Sequence, residues 1–370
     1  MAEPLKNQFG MDIPAKIAGM ISAVYGKFST EQFVRDVLHG YDELNLFQRG
    51  KKIADALSLH LPTDFSKAAE ILIASFGQKL EQTEGSGMSP FLYLPYSTFV
   101  AEYGTGHFEE SMRLQYELTQ RFTAEFCIRP FLERYPEATL ARFAVWANDP
   151  SPHVRRLVSE GTRPRLPWGS RLREFQKDPT PVLKLLEMLK DDPSLYVRRS
   201  VANSLNDIGK DHPSILVETA QRWLKDATEE RRWLIRHALR SAVKRGEAGA
   251  LGVMGYGELA EVTVDKISIT PKRPTIGDDL VIIFEITNTV QHVQNILVDF
   301  RIHFVKANGK TSPKVFKLKA VKLAPQEVLQ FRKTISLAEK TTRKHYVGRH
   351  KIDVLLNGMA HPLSDFELTG

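Results

Sequence analysis

The sequence has only one cysteine, Cys127, in a chain of 370 residues. A lone thiol excludes an intramolecular disulfide and a zinc site made of several cysteines. We expect this residue to lie in a helix among apolar neighbours, so we interpret it as a plain buried side chain. With 42% hydrophobic residues, the chain can bury an ample core without such cross-links.

Long apolar runs are missing as well. No segment approaches the roughly 18 consecutive apolar residues that indicate a transmembrane helix. The first residues, MAEPLKNQFGMDIPAK, lack the basic and apolar regions of a secretory signal. We therefore expect a cytoplasmic protein without a membrane partner, and the chain length predicts two domains.

Basic residues are sparse in the first part of the chain, so the net charge of +7 is unevenly distributed. Residues 1–150 carry 14 Lys and Arg against 19 Asp and Glu, whereas residues 151–250 carry 20 against 13 and residues 251–370 carry 17 against 12. A basic surface on an otherwise mixed protein favours a polyanionic partner such as nucleic acid, because phosphates supply most sequence-independent affinity.

An internal repeat occupies the most basic region. The run DPSPHVRRLVSEGTRPRLPW at 149–168 aligns with DPSLYVRRSVANSLND at 192–207, which begins 43 positions later, and more loosely with 233–244. A period of about 40 residues is typical of HEAT-like repeats, in which stacked helix pairs present a concave face. The predicted pairs are 138–147 with 152–161, 180–190 with 194–208, and 214–225 with 228–245.

One face of the second helix in each predicted pair is polar. Helical spacing groups its residues into three rows. The rows are Arg156, Glu160 and Arg163; Arg199, Asn203 and Asp207; and Arg236, Arg240 and Lys244. Stacked side by side, these rows predict a strongly basic surface with a carboxylate, Glu160, at its centre and Trp168 a few residues beyond.

The remaining segments complete the predicted fold. Amphipathic helices are expected at about 12–24, 29–39, 45–59, 64–76 and 108–126, a short helix after Pro130, and a packed connection at 84–104. After Gly252, about seven β-rich runs in roughly 110 residues are typical of an immunoglobulin-like sandwich. We therefore predict an all-α HEAT-like solenoid at 1–252, a Gly- and Ala-rich linker at 246–257, and an all-β sandwich domain at 258–370.

Three motifs resemble a known family. SEGTRPRLPWG at 159–169, AEFCIRPF at 124–131 and VRRSVANSLNDIGKDHP at 197–213 are similar to the bacterial DNA alkylation repair family of HEAT-like DNA glycosylases, in its AlkC-type rather than its AlkD-type branch. The C-terminal domain resembles an appendage of some AlkC-type proteins. The resemblance implies a nucleoid-associated monomer that excises cationic N3-alkylated bases, 3-methyladenine and also 3-methylcytosine, from alkylated double-stranded DNA without a metal or cofactor.

The chemistry of such a base explains a lone carboxylate in a basic groove. A base alkylated at a ring nitrogen is already cationic and leaves as a neutral molecule without a general acid. The enzyme then has only to stabilise the sugar cation and to position the attacking water. The resemblance implies that Glu160 is the leading catalytic carboxylate, with Glu125 and Asp207 as further acids and Trp168 as an aromatic wall. It also implies that DNA is held by Arg156, Arg163, Arg165, Arg199, Asn203, Arg236, Arg240 and Lys244.

Structural roles are open to several of these residues. In HEAT-like repeats a Val-Arg pair often serves packing, which makes Arg155 and Arg198 structural. Apolar stripes favour core positions for Trp146, Trp223 and Trp233. The sequence is also compatible with a solvated Glu160, a helix-terminal Asp207, and a Glu125 paired with Arg121 or Arg129.

A second function is compatible with the same basic face. It is that of a non-catalytic HEAT-like scaffold, which binds nucleic acid or a protein partner through the concave surface without chemistry. A lone acid in a basic field favours the enzyme, because the acid repels a phosphate ligand. The sequence leaves open which carboxylate is primary, whether the base is flipped, and whether the sandwich clamps DNA or caps the last repeat.

Overall fold

The structure is a computed structural model that describes residues 7, 9–85, 87, 89–339 and 343–370. In these residues, helices precede strands. The helices are α1 (Ile13–Ser22), α2 (Thr30–Leu38), α3 (Leu46–His60), α4 (Phe65–Ser75), α5 (Leu94–Tyr103), α6 (Phe108–Thr119), α7 (Arg129–Arg134), α8 (Pro136–Trp146), α9 (Pro152–Gly161), α10 (Arg173–Lys177), α11 (Thr180–Leu189), α12 (Leu195–Ile208), α13 (Pro213–Leu224), α14 (Glu229–Arg245) and α15 (Ala248–Val253). The strands are β1 (Val262–Thr270), β2 (Asp279–Asn288), β3 (Gln294–Val305), β4 (Thr311–Leu323), β5 (Val328–Ser336), β6 (Gly348–Leu356) and β7 (Met359–Leu368).

The four N-terminal helices lie where the sequence predicts them. Asn45 caps α3 by accepting a hydrogen bond from the Gln48 main-chain N–H, and the Gln48 side chain accepts from Asn45 in return. The Asp64 carboxylate caps α4 by accepting from the Lys67 main-chain N–H at 3.3 Å. These caps start the two helices, whose inward faces are buried in the core at Ile53 and Leu57 of α3 and at Phe65 and Leu72 of α4.

The helical repeats stack through α9 and α12, which pack side by side. Their apolar faces are fully buried at Val154 and Val158 in α9 and at Val197 in α12. Arg155 reaches across to Asp192 at 2.6 and 3.0 Å, and Arg198 donates to two main-chain carbonyls before its own helix. The predicted structural role of these two arginines is therefore confirmed.

Three segments differ from their predictions. The predicted connection at 84–104 contains a 3₁₀ helix and then α5, because burial of its aromatic side chains favours a helix despite their modest helix propensity. Helix α6 ends at Thr119 rather than near 126, since the Thr123 hydroxyl accepts from the Glu125 N–H and forms a local turn instead. Cys127 is buried as predicted but lies in this turn, and the predicted linker contains α15.

The strands form two antiparallel sheets, with order β1-β2-β5 and β4-β3-β6-β7. Alternating residues of both sheets fill one apolar core, which includes Phe284, Phe300 and Phe366. This architecture confirms the predicted immunoglobulin-like sandwich. No disulfide is needed, since the apolar core itself holds the sheets together.

The chain divides into two compact units. The helical unit holds the described residues up to Leu216 together with Trp223–Ala238, and the C-terminal unit holds Val217–Arg222 and Leu239–Gly370. This division falls within α13 and α14, whereas the change from helix to strand falls between Val253 and Val262. The proposed domain boundary at 252–258 stays a prediction. Among the described residues, none of the helices is long and apolar enough to span a bilayer.

Candidate active site

A cavity of about 490 Å³ opens in the helical unit. Its wall is built from the segment before α5, the turn after α6, helix α9 with its following loop, and Tyr196 of α12. Glu125, Glu160 and Trp168 all line it, so the structure brings together three of the four predicted catalytic residues. The fourth, Asp207, does not line the cavity and lies behind Arg163.

Glu160 occupies the last turn of α9. The following residue is Gly161, where an added Cβ would come within 2.8 Å of Ile128, so this end of the helix packs closely against the turn before α7. Glu160 is 5% exposed, so it is a buried residue and not a solvated glutamate. Its Oε1 accepts from Arg163 Nη1 at 2.6 Å, and its Oε2 accepts from Ser200 Oγ at 2.6 Å.

The charge of Glu160 is maintained despite this burial. Burial by itself raises the pKa of the carboxyl group, but the guanidinium groups of Arg156 and Arg163 and the Ser200 hydrogen bond together hold the pKa below its ordinary value of 4.5. Arg156 Nη2 lies 3.6 Å from Oε1. Glu160 is therefore a carboxylate at neutral pH, with its negative charge facing an open cavity.

Arg156 links the two carboxylates of the cavity. Its Nη1 lies 2.7 Å from Glu125 Oε2, and its guanidinium group stacks over the Tyr196 ring at 5.1 Å. Glu125 also accepts from the Thr123 hydroxyl at 2.9 Å. This geometry corrects the pairing of Glu125 with Arg121 that the sequence allowed, because Arg121 instead binds Glu117 at 2.8 Å, one helical turn before it.

Arg163 connects neighbouring repeats. It binds Glu160 with one nitrogen and Asp207 of α12 with two others, both at 2.8 Å. Asp207 is 1% exposed and also binds Lys210 at 2.7 Å. Asp207 is thus more than a helix-terminal residue, because it supports the arginine that holds Glu160.

The loop after α9 carries Trp168 to the mouth of the cavity. Arg129 is buried and donates to the carbonyls of Gly161 and Arg163 at 3.0 Å each and to that of Ser170. Burial lowers the pKa of Arg129 to about 10, which leaves it charged at neutral pH. Trp168 has a left-handed φ of 64° and is 67% exposed. The strained backbone costs stability, and the exposed side chain recovers little of it by burial, which is typical of a residue at a functional site.

The other predicted DNA-binding residues lie outside this cluster. Arg165 binds Asp211 at 2.8 Å, Arg199 binds the exposed Glu84 at 2.6 Å, and Asn203 lies 3.2 Å from His237. Arg236 is half exposed and 3.9 Å from Glu229. Arg240 and Lys244 belong to the C-terminal unit, where Lys244 is exposed. Arg199, Arg236 and Lys244 therefore remain accessible to phosphates.

Comparisons with known proteins identify the family. A family model described as "Uncharacterised protein YhaZ, C-terminal Ig-like domain" matches residues 263–370. The uncharacterized protein YhaZ of Bacillus subtilis strain 168 is 35% identical over 365 residues, which cover 98% of this chain and 99% of that protein. The solved structure of Pseudomonas fluorescens alkylpurine DNA glycosylase AlkC, bound to DNA containing an abasic site analog, is 38% identical, covers 100% of both chains and has a TM-score of 0.92. The chain belongs to the AlkC-type family. This confirms both the predicted family and the predicted fold class.

Two residues beside the cavity were not predicted from the sequence. Ser200 hydrogen-bonds Glu160, and Phe47 of α3 contacts Trp168 edge-on, with ring centroids 6.0 Å apart. Ser200 follows two arginines in the second repeat, at the position one repeat period after Leu157, so alignment of the repeats indicated no polar role for it. Nothing in the sequence indicated that Phe47 lies near Trp168, because Phe47 belongs to an ordinary amphipathic helix.

Core positions were predicted for three tryptophans of this AlkC-type chain. Trp146 and Trp223 are 6% and 2% exposed, which confirms the prediction for both. Trp233 is only partly buried and stacks on His237, with ring centroids 5.1 Å apart.

Among the described residues, no three His, Cys, Asp or Glu side chains form a metal-binding group. The expectation that catalysis needs no metal or cofactor stays a prediction.

Proposed function

We propose that this chain is a monofunctional DNA glycosylase of base excision repair that removes cationic alkylated purines, foremost 3-methyladenine, from alkylated double-stranded DNA. The observation that carries the proposal is the charged Glu160 held inside an open cavity by Arg163 and Ser200. Identity of 38% over the full length to an alkylpurine DNA glycosylase supports the same activity. The enzyme would act as a monomer on bacterial DNA in the cytoplasm.

In the proposed mechanism Glu160 stabilises the transition state electrostatically. As the bond between C1′ and the base breaks, positive charge moves from the cationic base to the sugar, and the neutral base leaves without a proton donor. A fixed carboxylate in a partly dehydrated cavity stabilises that developing charge more strongly than water does. In this mechanism Glu125, which also lines the cavity, would orient the water that attacks C1′.

The arginines around Glu160 take a role other than the predicted phosphate contacts. Arg156 and Arg163 direct their guanidinium groups to carboxylates within the helical unit, at distances of 2.6 to 3.6 Å. We therefore assign these two to holding the catalytic carboxylates in place. Phosphate contacts fall instead to the accessible Arg199, Arg236 and Lys244.

The proposed activity is tested by incubating the purified protein with methylated duplex DNA and measuring free bases by chromatography. We expect release of 3-methyladenine and an abasic site in the DNA, with no strand cleavage by the protein itself. A protein that binds duplex DNA but releases no base would replace the glycosylase proposal with the non-catalytic scaffold. Methylated DNA incubated with heat-denatured protein is the control for spontaneous depurination, and undamaged DNA is the control for release of normal bases.

Replacing Trp168 with glycine separates its function from its fold. Glycine adopts a φ of 64° without strain, so the thermal unfolding temperature should stay unchanged or rise. Excision should fall roughly tenfold, because stacking of a base on an aromatic ring contributes on the order of 1–3 kcal/mol. Trp168→Phe should recover much of the rate, and Val145→Ala, at another exposed apolar residue, should change neither quantity. Unchanged excision by Trp168→Gly would remove Trp168 from the site.

A further inference from the structure

Two buried hydroxyl groups lie between α9 and α12, behind the Glu160 carboxylate. Ser159 and Ser200 are 0% and 2% exposed. The Ser159 Oγ lies 2.7 Å from the Ser200 Oγ, which in turn lies 2.6 Å from Glu160 Oε2. The three groups form a short chain that starts on α9, crosses to the neighbouring repeat and returns to α9.

The charge of Glu160 fixes the direction of the Ser200 proton. A carboxylate only accepts hydrogen bonds, and a hydroxyl group has one proton to donate. Ser200 therefore directs its proton to Glu160, so that in the 2.7 Å contact between the two serines Ser200 accepts and Ser159 donates. The Arg156 main-chain oxygen, 3.1 Å from Ser159 Oγ, is a second acceptor for the Ser159 proton at a longer distance. A hydrogen bond to an ionised acceptor is about twice as strong as one between neutral groups, and each bond in a chain polarises the next.

We propose that Ser200, oriented by Ser159, is a positioning residue for Glu160, an inference that rests on the proposed glycosylase function. Arg163 binds one oxygen of the carboxylate and Ser200 binds the other, from two different repeats. With both oxygens held, the carboxylate keeps one rotamer and one charge state as the sugar cation forms. Ser200 itself does not line the cavity and does not touch the reacting atoms.

A merely structural serine provides the matched control. Ser204 lies one helical turn further along α12 and is fully buried, and its hydroxyl has no hydrogen-bond partner among the described residues. Ser204→Ala removes the same atom from the same helix without touching Glu160. Ser200→Thr keeps the hydroxyl and serves as the conservative variant.

The test measures single-turnover release of methylated base between about pH 4 and 8, together with affinity for duplex DNA containing an abasic site. Ser200→Ala should lower the rate at neutral pH on the order of tenfold, with unchanged DNA affinity. Loss of the donor raises the pKa of Glu160, so the acidic limb of the rate profile should move to higher pH, because a protonated Glu160 cannot stabilise a cation. Ser159→Ala should show a smaller change in the same direction, and Ser200→Thr should restore most of the rate.

Equal rates and superimposable pH profiles for wild type, Ser200→Ala and Ser204→Ala would overturn the positioning role. A rate loss shared by Ser200→Ala and Ser204→Ala, without movement of the pH profile, would also overturn it and indicate helix packing alone. A wild-type protein that releases no base would instead refute the proposed function, so the two failures are distinguishable.

Discussion

Replacing Glu160 with glutamine is expected to lower single-turnover excision by on the order of 100-fold or more while DNA affinity changes little. Glutamine keeps the size of the side chain, and its amide oxygen can still accept from Arg163 while its NH2 group can donate to the Ser200 hydroxyl oxygen, but it lacks the negative charge that stabilises the sugar cation. The fold should tolerate this change, because Arg163 retains Asp207 and Arg156 retains Glu125 as charged partners.

Two further variants make the Glu160→Gln result specific. Glu174→Gln removes a charge from an exposed glutamate of α10 and should leave excision unchanged. Glu125→Gln should lower excision less than Glu160→Gln, since Glu160 is the carboxylate held at both oxygens by buried donors. If Glu125→Gln has the larger effect, Glu125 is the primary carboxylate. Wild-type excision by Glu160→Gln would exclude Glu160 from the mechanism.

Local sequence patterns predicted most helices because their signals are local. Helix α9 spans 152–161 as predicted, since Pro152 suits a first helical turn and Gly161 follows the last apolar contact. Helix α5 was missed, because Pro95 was interpreted as a break although it also suits a first helical turn, and because aromatic side chains have no strong helix propensity. Burial of Tyr96 and Phe99 determines its conformation, and burial depends on packing partners distant in sequence.

The sequence predicted which residues meet at the cavity better than it predicted their ion-pair partners. On a single helix the arginines are predicted to be accessible. In the stacked repeats, aspartates of the next repeat bind several of them and neutralise their charge. Arg155, Arg163 and Arg165 each bind an aspartate 37 to 46 positions later, close to the repeat period of 43. An acidic residue about one repeat period after an arginine therefore indicates a structural ion pair between repeats. The separation varies, so the pairs can be assigned only once the stacking of the repeats is known.

Arg163→Ala is expected to destabilise the helical unit by about 3 kcal/mol at neutral pH, because the buried Glu160 and Asp207 lose the arginine they share and keep only Arg156 at 3.6 Å and Lys210 as cationic partners. Chemical unfolding monitored by circular dichroism measures this difference. Adding Glu160→Gln and Asp207→Asn to the variant should recover part of the lost stability without restoring excision. Arg199→Ala, which removes an exposed surface pair with Glu84, should change stability by less than about 1 kcal/mol.

The pH dependence of that difference distinguishes a structural arginine from one that binds phosphate. The pKa of Glu160 is lowered in the folded protein, so its contribution to stability is present above about pH 4.5 and is lost as the pH falls through the lower folded value. The destabilisation by Arg163→Ala should therefore shrink as Glu160 becomes protonated. If Arg163 instead served mainly to bind phosphate, the variant would unfold like wild type at every pH, and its DNA affinity would fall with a salt dependence flatter by about one unit of slope. That result would contradict our assignment of Arg163 to holding Glu160 and would return it to the DNA-binding surface.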